Sequence, residues 1–176
     1  MRIRTVLISA AVTMALAAGA EAGSRLRGVT RIHPVNDKAA ALLTDARQQS
    51  ATVRNLIKQL EEGNVVAFVQ VVPPEADGPL STMRFMGASS LTRSVLIQVA
   101  ECQAPCRRVE LLAHELQHAN EVAEATWVAD NLDLRRLLMA RGYRDSDSAR
   151  GYETVTAQLT ERAVRREIRA LSRPAQ

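Results

Sequence analysis

No stretch of this chain stays apolar for the roughly 20 residues that a membrane-spanning helix requires. The longest such run, Val6 to Ala18, is too short to serve as an anchor. Cysteine is nearly absent: the chain has two, Cys102 and Cys106, spaced C-x-x-x-C with no further cysteine, a poor set of ligands for a thiolate zinc site. Neither charge dominates, since 23 Lys and Arg stand against 19 Asp and Glu, so nothing in the balance requires a nucleic-acid partner. Internal repeats and low-complexity tracts are missing. Histidine is scarce too, with three in 176 residues, and two of the three fall within five consecutive positions.

What the N-terminus does contain is a layout. Arg2 and Arg4 precede the apolar run, which leads to the small-x-small triplet Ala20-Glu21-Ala22, the pattern of a secretory signal peptide with cleavage after Ala22. Removing residues 1–22 from 176 leaves 154, enough for one domain with its own core, at 23–176. That portion keeps 21 basic and 18 acidic side chains, a modest excess that permits loose attraction to anionic surfaces. The expected address is periplasmic or extracellular, with no membrane association after cleavage. In an oxidising compartment Cys102 and Cys106 are expected to form a disulfide that pins the chain before the helix that follows.

The two clustered histidines lie in His114-Glu115-Leu116-Gln117-His118, an HExxH motif. On a helix, residues four apart project from one face, so both imidazoles can hold one ion. Neutral imidazole is a good zinc ligand, and a catalytic zinc site takes three protein ligands and leaves one position to water, whose pKa falls to about 7. Glu115, beside the pair, is placed to take a proton from that water and deliver it to a leaving amine.

The rest of the chain supplies a scaffold of α+β class. Asp37 to Glu62 follows a helical period, with Ser50 capping a second piece and Gly63 ending it. Val65 to Val72 is rich in β-branched residues, stops at Pro73-Pro74, and reads as a buried strand. Shorter strands are expected at Thr82–Met86 and Ser94–Ala100, giving a small, mostly antiparallel sheet before the motif helix. From Arg107 onward the pattern is helical, in segments 107–127, 130–140 and 152–171, with Gly142 and Asp145 to Ser148 separating the last two.

Two histidines leave the third ligand open. Glu121 shares the face of His114 but lies about 10.5 Å along the axis, better placed to orient a histidine or face solvent than to bind. Glu124 stands six residues past His118, yet Glu121 occupies the midpoint where a glycine would have to bend the helix. Glu153 opens the last helical segment 35 residues past His118, with room for an antiparallel return.

The stretch Leu111 to Ala119 resembles the active-site helix of the zincin metallopeptidases, with uncharged residues flanking the His-Glu pair. Asn120 departs from it, standing where zincins place an apolar residue. Glu153 in Tyr152-Glu153-Thr154 is similar to the gluzincin arrangement, in which a glutamate from a following helix completes the site. The combination with HELQHA resembles a group of small exported bacterial proteins. The gluzincin aspartate four residues past the ligand is replaced by Ala157, so another group, Glu121 or a backbone carbonyl, would have to orient His114. The resemblance further implies a zincin-like fold, an edge strand along the cleft, here 95–100, and an oxyanion donor, for which Tyr143, Tyr152 and His33 are the candidates. It covers the motif helix and Glu153; residues 23–64 lie outside it.

The expectation is therefore an exported zinc metallopeptidase acting on peptide or protein substrates, with His114, His118 and Glu153 as ligands and Glu115 as base. Its competitor is a zinc-binding or interaction module of the same fold without turnover. A third, weaker reading is an anion-binding envelope protein whose arginines do the work.

Overall fold

The structure, a computed structural model, describes residues 30–76, 78–101, 104–144 and 152–172. The expected leader and Cys102 fall outside that range; Cys106 is exposed, and no disulfide is present among the described residues. No helix among them is long and apolar enough to cross a membrane.

The helical stretch expected over residues 37–62 forms two pieces about Ser50, α1 (Asp37–Gln49) and α2 (Ala51–Glu62). Ser50 divides them: its extended backbone ends α1, and its hydroxyl accepts from the Val53 amide at 3.0 Å to start α2. Asn36 caps α1 in the same way through the Ala39 amide, at 2.9 Å. Before α1 lies a strand that the sequence did not announce, β1 (Ile32–Pro34), and after α2 comes β2 (Val65–Val72). The side chains of β2 alternate between buried and half-buried, so this strand covers the core with one face only.

The hairpin β3 (Ser81–Ala88) and β4 (Arg93–Ala100) is closed at Ser89–Thr92, where Ser89 N–H donates to Thr92 O at 2.7 Å. The sheet order is β1-β2-β4-β3, with β1/β2 and β2/β4 parallel and only β3/β4 antiparallel. The sheet is thus mixed rather than mostly antiparallel. The reason is the connection from Pro73 to Leu80, which carries the chain past the place that β4 occupies instead of folding it back on β2. Segment 95–100 therefore lies between two strands and cannot be the edge that meets a substrate. The edge on that side is β3.

The motif helix, α3 (Pro105–Glu124), runs through the middle of the molecule. It packs against β2, β3 and β4 on one side and against α1, α2 and the last helix, α5 (Val155–Leu171), on others. Leu112, Leu116, Ala119 and Val122 are fully buried in the core with Val69, Val95, Ile97, Val99 and Leu60. Asn120, the departure from the zincin pattern, is buried and satisfied: its Nδ2 donates to Leu56 O at 3.2 Å and Leu116 O at 3.0 Å, tying α3 to α2. Glu167 anchors α5, accepting from Ser50 Oγ at 2.5 Å and Thr52 Oγ1 at 2.8 Å at the start of α2.

The far end of α3 is closed by Arg93. Its buried guanidinium donates to Val122 O at 2.5 Å, Ala125 O at 2.7 Å, Ala123 O at 3.1 Å and Asn64 Oδ1 at 2.6 Å, supplying the carbonyls that a helix C-terminus leaves without partners. Arg93→Met leaves those carbonyls buried and unpaired, and is expected to cost about 3 kcal/mol of stability. A urea denaturation midpoint with unchanged slope measures it; a loss below about 1 kcal/mol contradicts the role.

After α3 come α4 (Asn131–Arg141) and a small hairpin of β5 (Gly142–Arg144) and β6 (Tyr152–Thr154), which leads into α5. Residues 152–154 are strand rather than the start of the last helix. Thr154 is the N-cap of α5, accepting from the Ala157 amide at 3.2 Å.

Candidate metal centre

One turn of α3 separates His114 from His118, and their rings meet edge to face, centroids 4.8 Å apart, with Nε2 atoms 3.1 Å from each other. Into that gap β6 brings Glu153, whose Oε2 lies 2.7 Å from His114 Nε2 and 3.9 Å from His118 Nε2. Bonds of about 2.0–2.1 Å at tetrahedral angles put ligand atoms some 3.4 Å apart, inside the range of these three separations. Among the described residues no other group of three such side chains converges in this way.

Glu153 reaches the histidines because Gly142 lets β6 come close. A β-carbon at Gly142 would stand 2.3 Å from Glu153 O, 2.8 Å from Glu153 C and 2.8 Å from Leu138 O. Two of these are the backbone of Glu153 itself, which cannot move aside without moving its carboxylate. The glycine reads in sequence only as a break between helices, while in the fold it sets the approach of the third donor.

Each histidine has a carboxylate behind it. Glu121, buried on α3, lies with Oε2 3.0 Å from His118 Nδ1 and accepts from Thr154 Oγ1 at 2.7 Å through its other oxygen. It orients His118, not His114. Glu161 on α5 faces His114 instead, with Oε2 3.4 Å from Nδ1. Its other oxygen is held by Arg107 and by Arg165 at 2.7 Å, and both arginines also bind Glu110 at 2.9 Å. Glu161 lies on the face of Ala157, one turn further along. With Nδ1 of each ring turned toward a carboxylate, both Nε2 lone pairs point at Glu153.

Three electron-rich atoms cannot converge in a buried site without a cation among them. In the metal-free protein that cation is the proton. Burial opposes the charge on His114, but Glu153 and Glu161 overcome it and hold the imidazole up to about 10. Burial likewise opposes His118, which Glu121 and Glu153 hold up to about 9. Burial would raise Glu153, yet the two histidines pull it down to about 2; His114 and then Arg107 bring Glu161 to about 2 against its own burial. His114 Nδ1 and Glu153 Oε2 are buried and meet no partner in full hydrogen-bond geometry, although Glu161 Oε2 and His114 Nε2 respectively stand 3.4 and 2.7 Å from them. A divalent ion fits this donor set: two imidazoles, one carboxylate, and outer carboxylates that fix the rings.

Glu115 stands outside the three donors. It is 4% exposed and accepts a hydrogen bond from Ser81 Oγ, at the start of β3, at 2.7 Å. It lines two clefts that meet at the histidines. The first, about 300 Å³, lies between Met83 on β3 and Leu134, Leu138 and Tyr152. The second, about 530 Å³, is bordered by Leu80, Arg107, Gln158, Arg162 and Arg165.

Glu124 is exposed and paired with Arg141 at 2.7 Å, away from the donors, so it drops out as a ligand. Of the expected oxyanion donors, Tyr152 lines the smaller cleft, its ring 5.9 Å from the Arg135 guanidinium carbon. Tyr143 is paired with Glu153 across the hairpin and lines neither cleft; His33 stacks on Phe68 at 5.5 Å, on β1 at the opposite edge of the sheet. Ser81, Gly142, Thr154 and Glu161 carry no local motif and come together only through the fold. No family model, curated protein or solved structure matches the chain, so the chemistry has to be read from these contacts.

Proposed function

We propose that this protein is an exported zinc-dependent peptidase, with His114, His118 and Glu153 holding the ion. The observation that carries the reading is the convergence of His114 Nε2, His118 Nε2 and the buried Oε2 of Glu153 beside a carboxylate, Glu115, that is outside the three donors. Zinc bound there supplies a Lewis acid that polarises a carbonyl and acidifies water. The remaining work falls to the chain. Glu115, steadied by the Ser81 hydroxyl, accepts the proton of the attacking water and passes it to the leaving nitrogen. Glu121 and Glu161 hold the two rings in the tautomer that keeps Nε2 free. Tyr152 is the candidate donor to the oxygen on which negative charge develops.

A non-catalytic zinc module would close its site with a fourth protein ligand. Glu121 is already occupied by His118 and Thr154, and Glu124 is turned away, which supports an open position facing the two clefts. The test is to load purified protein with one equivalent of zinc and assay a mixed peptide library. Cleavage that disappears with a chelator and returns with zinc is the expected result. Protein that binds one zinc and cleaves nothing in the library would overturn the peptidase reading in favour of the module.

A further inference from the structure

The cleft is closed on one side by a side chain that imitates a strand. In the β3/β4 pair, Ala100 N–H donates to Leu80 O at 2.7 Å, and the register continues Thr82↔Gln98 and Arg84↔Leu96. Main-chain groups of an antiparallel strand alternate between its two sides. Those of Leu80, Thr82 and Arg84 therefore face β4, and those of Ser81, Met83 and Phe85 face the open edge. At Phe85 the edge is taken: Phe85 N–H donates to Asn131 Oδ1 at 2.8 Å, and Asn131 Nδ2 donates to Phe85 O at 3.0 Å. One amide thus satisfies both main-chain groups, as a neighbouring strand would.

What remains for an incoming extended peptide is the edge at Ser81 and Met83. Ser81 is the residue whose hydroxyl binds Glu115, so this short edge begins beside the reacting centre and ends about 7 Å along, two residues further, by strand geometry. The side chains of Ser81 and Met83 point to the α3 side of the sheet, where Met83, Leu134, Leu138 and Tyr152 wall the 300 Å³ cleft. The apolar wall of Met83, Leu134 and Leu138 suits an apolar side chain.

We propose that Asn131 is a specificity-determining stop: the protein reads no more than about three substrate residues on the α4 side of the reacting bond, one of them apolar and seated in the Met83–Leu134–Leu138 pocket. The other direction, past Pro79 toward Arg162 and Gln158, is left open. The preferred substrate class is then a peptide with an apolar residue close to one of its ends. This rests on the peptidase reading for the nature of the ligand, while the strand stop itself rests on the Asn131 contacts.

The test reads binding, so that it is independent of turnover. Zinc-loaded Glu115→Gln protein is titrated with labelled peptides that carry a single Phe in an Ala-Gly-Ser background, lengthened by one to five residues on either side. Affinity is expected to rise with each residue added in one direction and to stop rising after the second or third in the other. In the Glu115→Gln/Asn131→Ala double variant the blocked direction should gain roughly tenfold for the longer peptides, the scale of two restored main-chain hydrogen bonds. Replacing Phe by Asp should weaken binding at least as much. Should Asn131→Ala fail to fold, Asn131→Asp keeps the acceptor for Phe85 N–H and frees the carbonyl, and the length series on the Asn131 protein stands alone. Equal gains in both directions, an asymmetry that survives loss of Asn131, or no binding by any member overturns the proposal. Directional binding without cleavage by the Glu115 protein would remove the peptidase reading and leave the strand stop intact.

Discussion

Glu115→Gln is expected to lower zinc-dependent peptide hydrolysis by about a thousandfold, in the middle of the range for a positioned general base, while zinc stoichiometry and fold remain as they are. The separation of the two effects follows from geometry. Glu115 contributes no atom to the three-donor cluster; its Oε1 is engaged by the Ser81 hydroxyl, a bond that a glutamine oxygen can also accept. Glutamine keeps the volume and the hydrogen bond and loses the ability to take a proton near neutral pH. The measurement is single-turnover hydrolysis of the best library peptide beside metal analysis of the same preparation. A variant that retains one zinc and keeps its rate within tenfold of the parent would place the base elsewhere. Ser81→Ala serves as a graded companion. It leaves the carboxylate in place but free to turn, so a loss of only about tenfold is expected, on the scale of one net hydrogen bond to a charged group.

The helix that carries the motif was legible because it combines a 3.6-residue period with histidines at i and i+4, and both signals are local. Ser50 was legible as a cap for the same reason, and Val65–Val72 from its β-branched run. Glu153 was reachable through its distance from His118 and its resemblance to the gluzincin pattern. Its secondary structure was not: a three-residue strand ahead of an N-cap threonine has too little length to show a period, and Tyr152 to Leu171 reads as one helix. The sense of the sheet was hidden for a different reason. Alternation within β2, β3 and β4 identifies strands, but nothing in the loop from Pro73 to Leu80 says which strand it must pass. The assumption that β4 would be an edge failed with it. Glu161 shows a third kind of limit. In sequence it sits within a run of charges, Glu161-Arg162-Ala163-Val164-Arg165-Arg166-Glu167, that looks like a solvated face. Only the packing of α5 on α3 turns Glu161 toward His114, Arg165 toward Glu110, and Glu167 toward the start of α2.

The competing expectation of a module that merely retains metal, and the weaker one of an anion-binding protein, both meet the same group of side chains. Arg107 and Arg165, the arginines nearest the histidines, are committed to Glu110 and Glu161, where they fix the carboxylate behind His114. Their charge serves the histidine cluster first. Arg162, exposed at the rim of the larger cleft, remains as a cation that a substrate could meet.

Glu153→Ala is expected to weaken zinc binding by on the order of a thousandfold or more, beyond the 10–100-fold that loss of an outer partner brings. Glu121→Gln and Glu161→Gln should stay within that smaller range, since each only orients a ring. At zinc concentrations near a thousand times the parent dissociation constant, the ion stabilises the fold by about 4 kcal/mol, and Glu153→Ala should lose most of that increment. The metal-free comparison fixes the sign of the pH dependence. His114 and His118 have folded pKa values near 10 and 9, above their ordinary 6.5. Their protonation therefore stabilises the metal-free fold fully below about pH 6.5, and that contribution disappears as pH rises through 9 to 10. Protons and zinc compete for the same lone pairs, so the parent protein should bind zinc more tightly as pH rises from 6 to 9 and release protons as it does so. In Glu153→Ala one of the carboxylates that raise each histidine is gone while Glu161 and Glu121 remain, so both pKa values fall part of the way and the pH dependence of the residual affinity should be shallower than the parent's between pH 8 and 9. Competition titrations with a chromogenic chelator at pH 6, 7, 8 and 9 measure both effects. A Glu153→Ala protein that binds zinc as tightly as its parent across that range would show that the two histidines have another third partner.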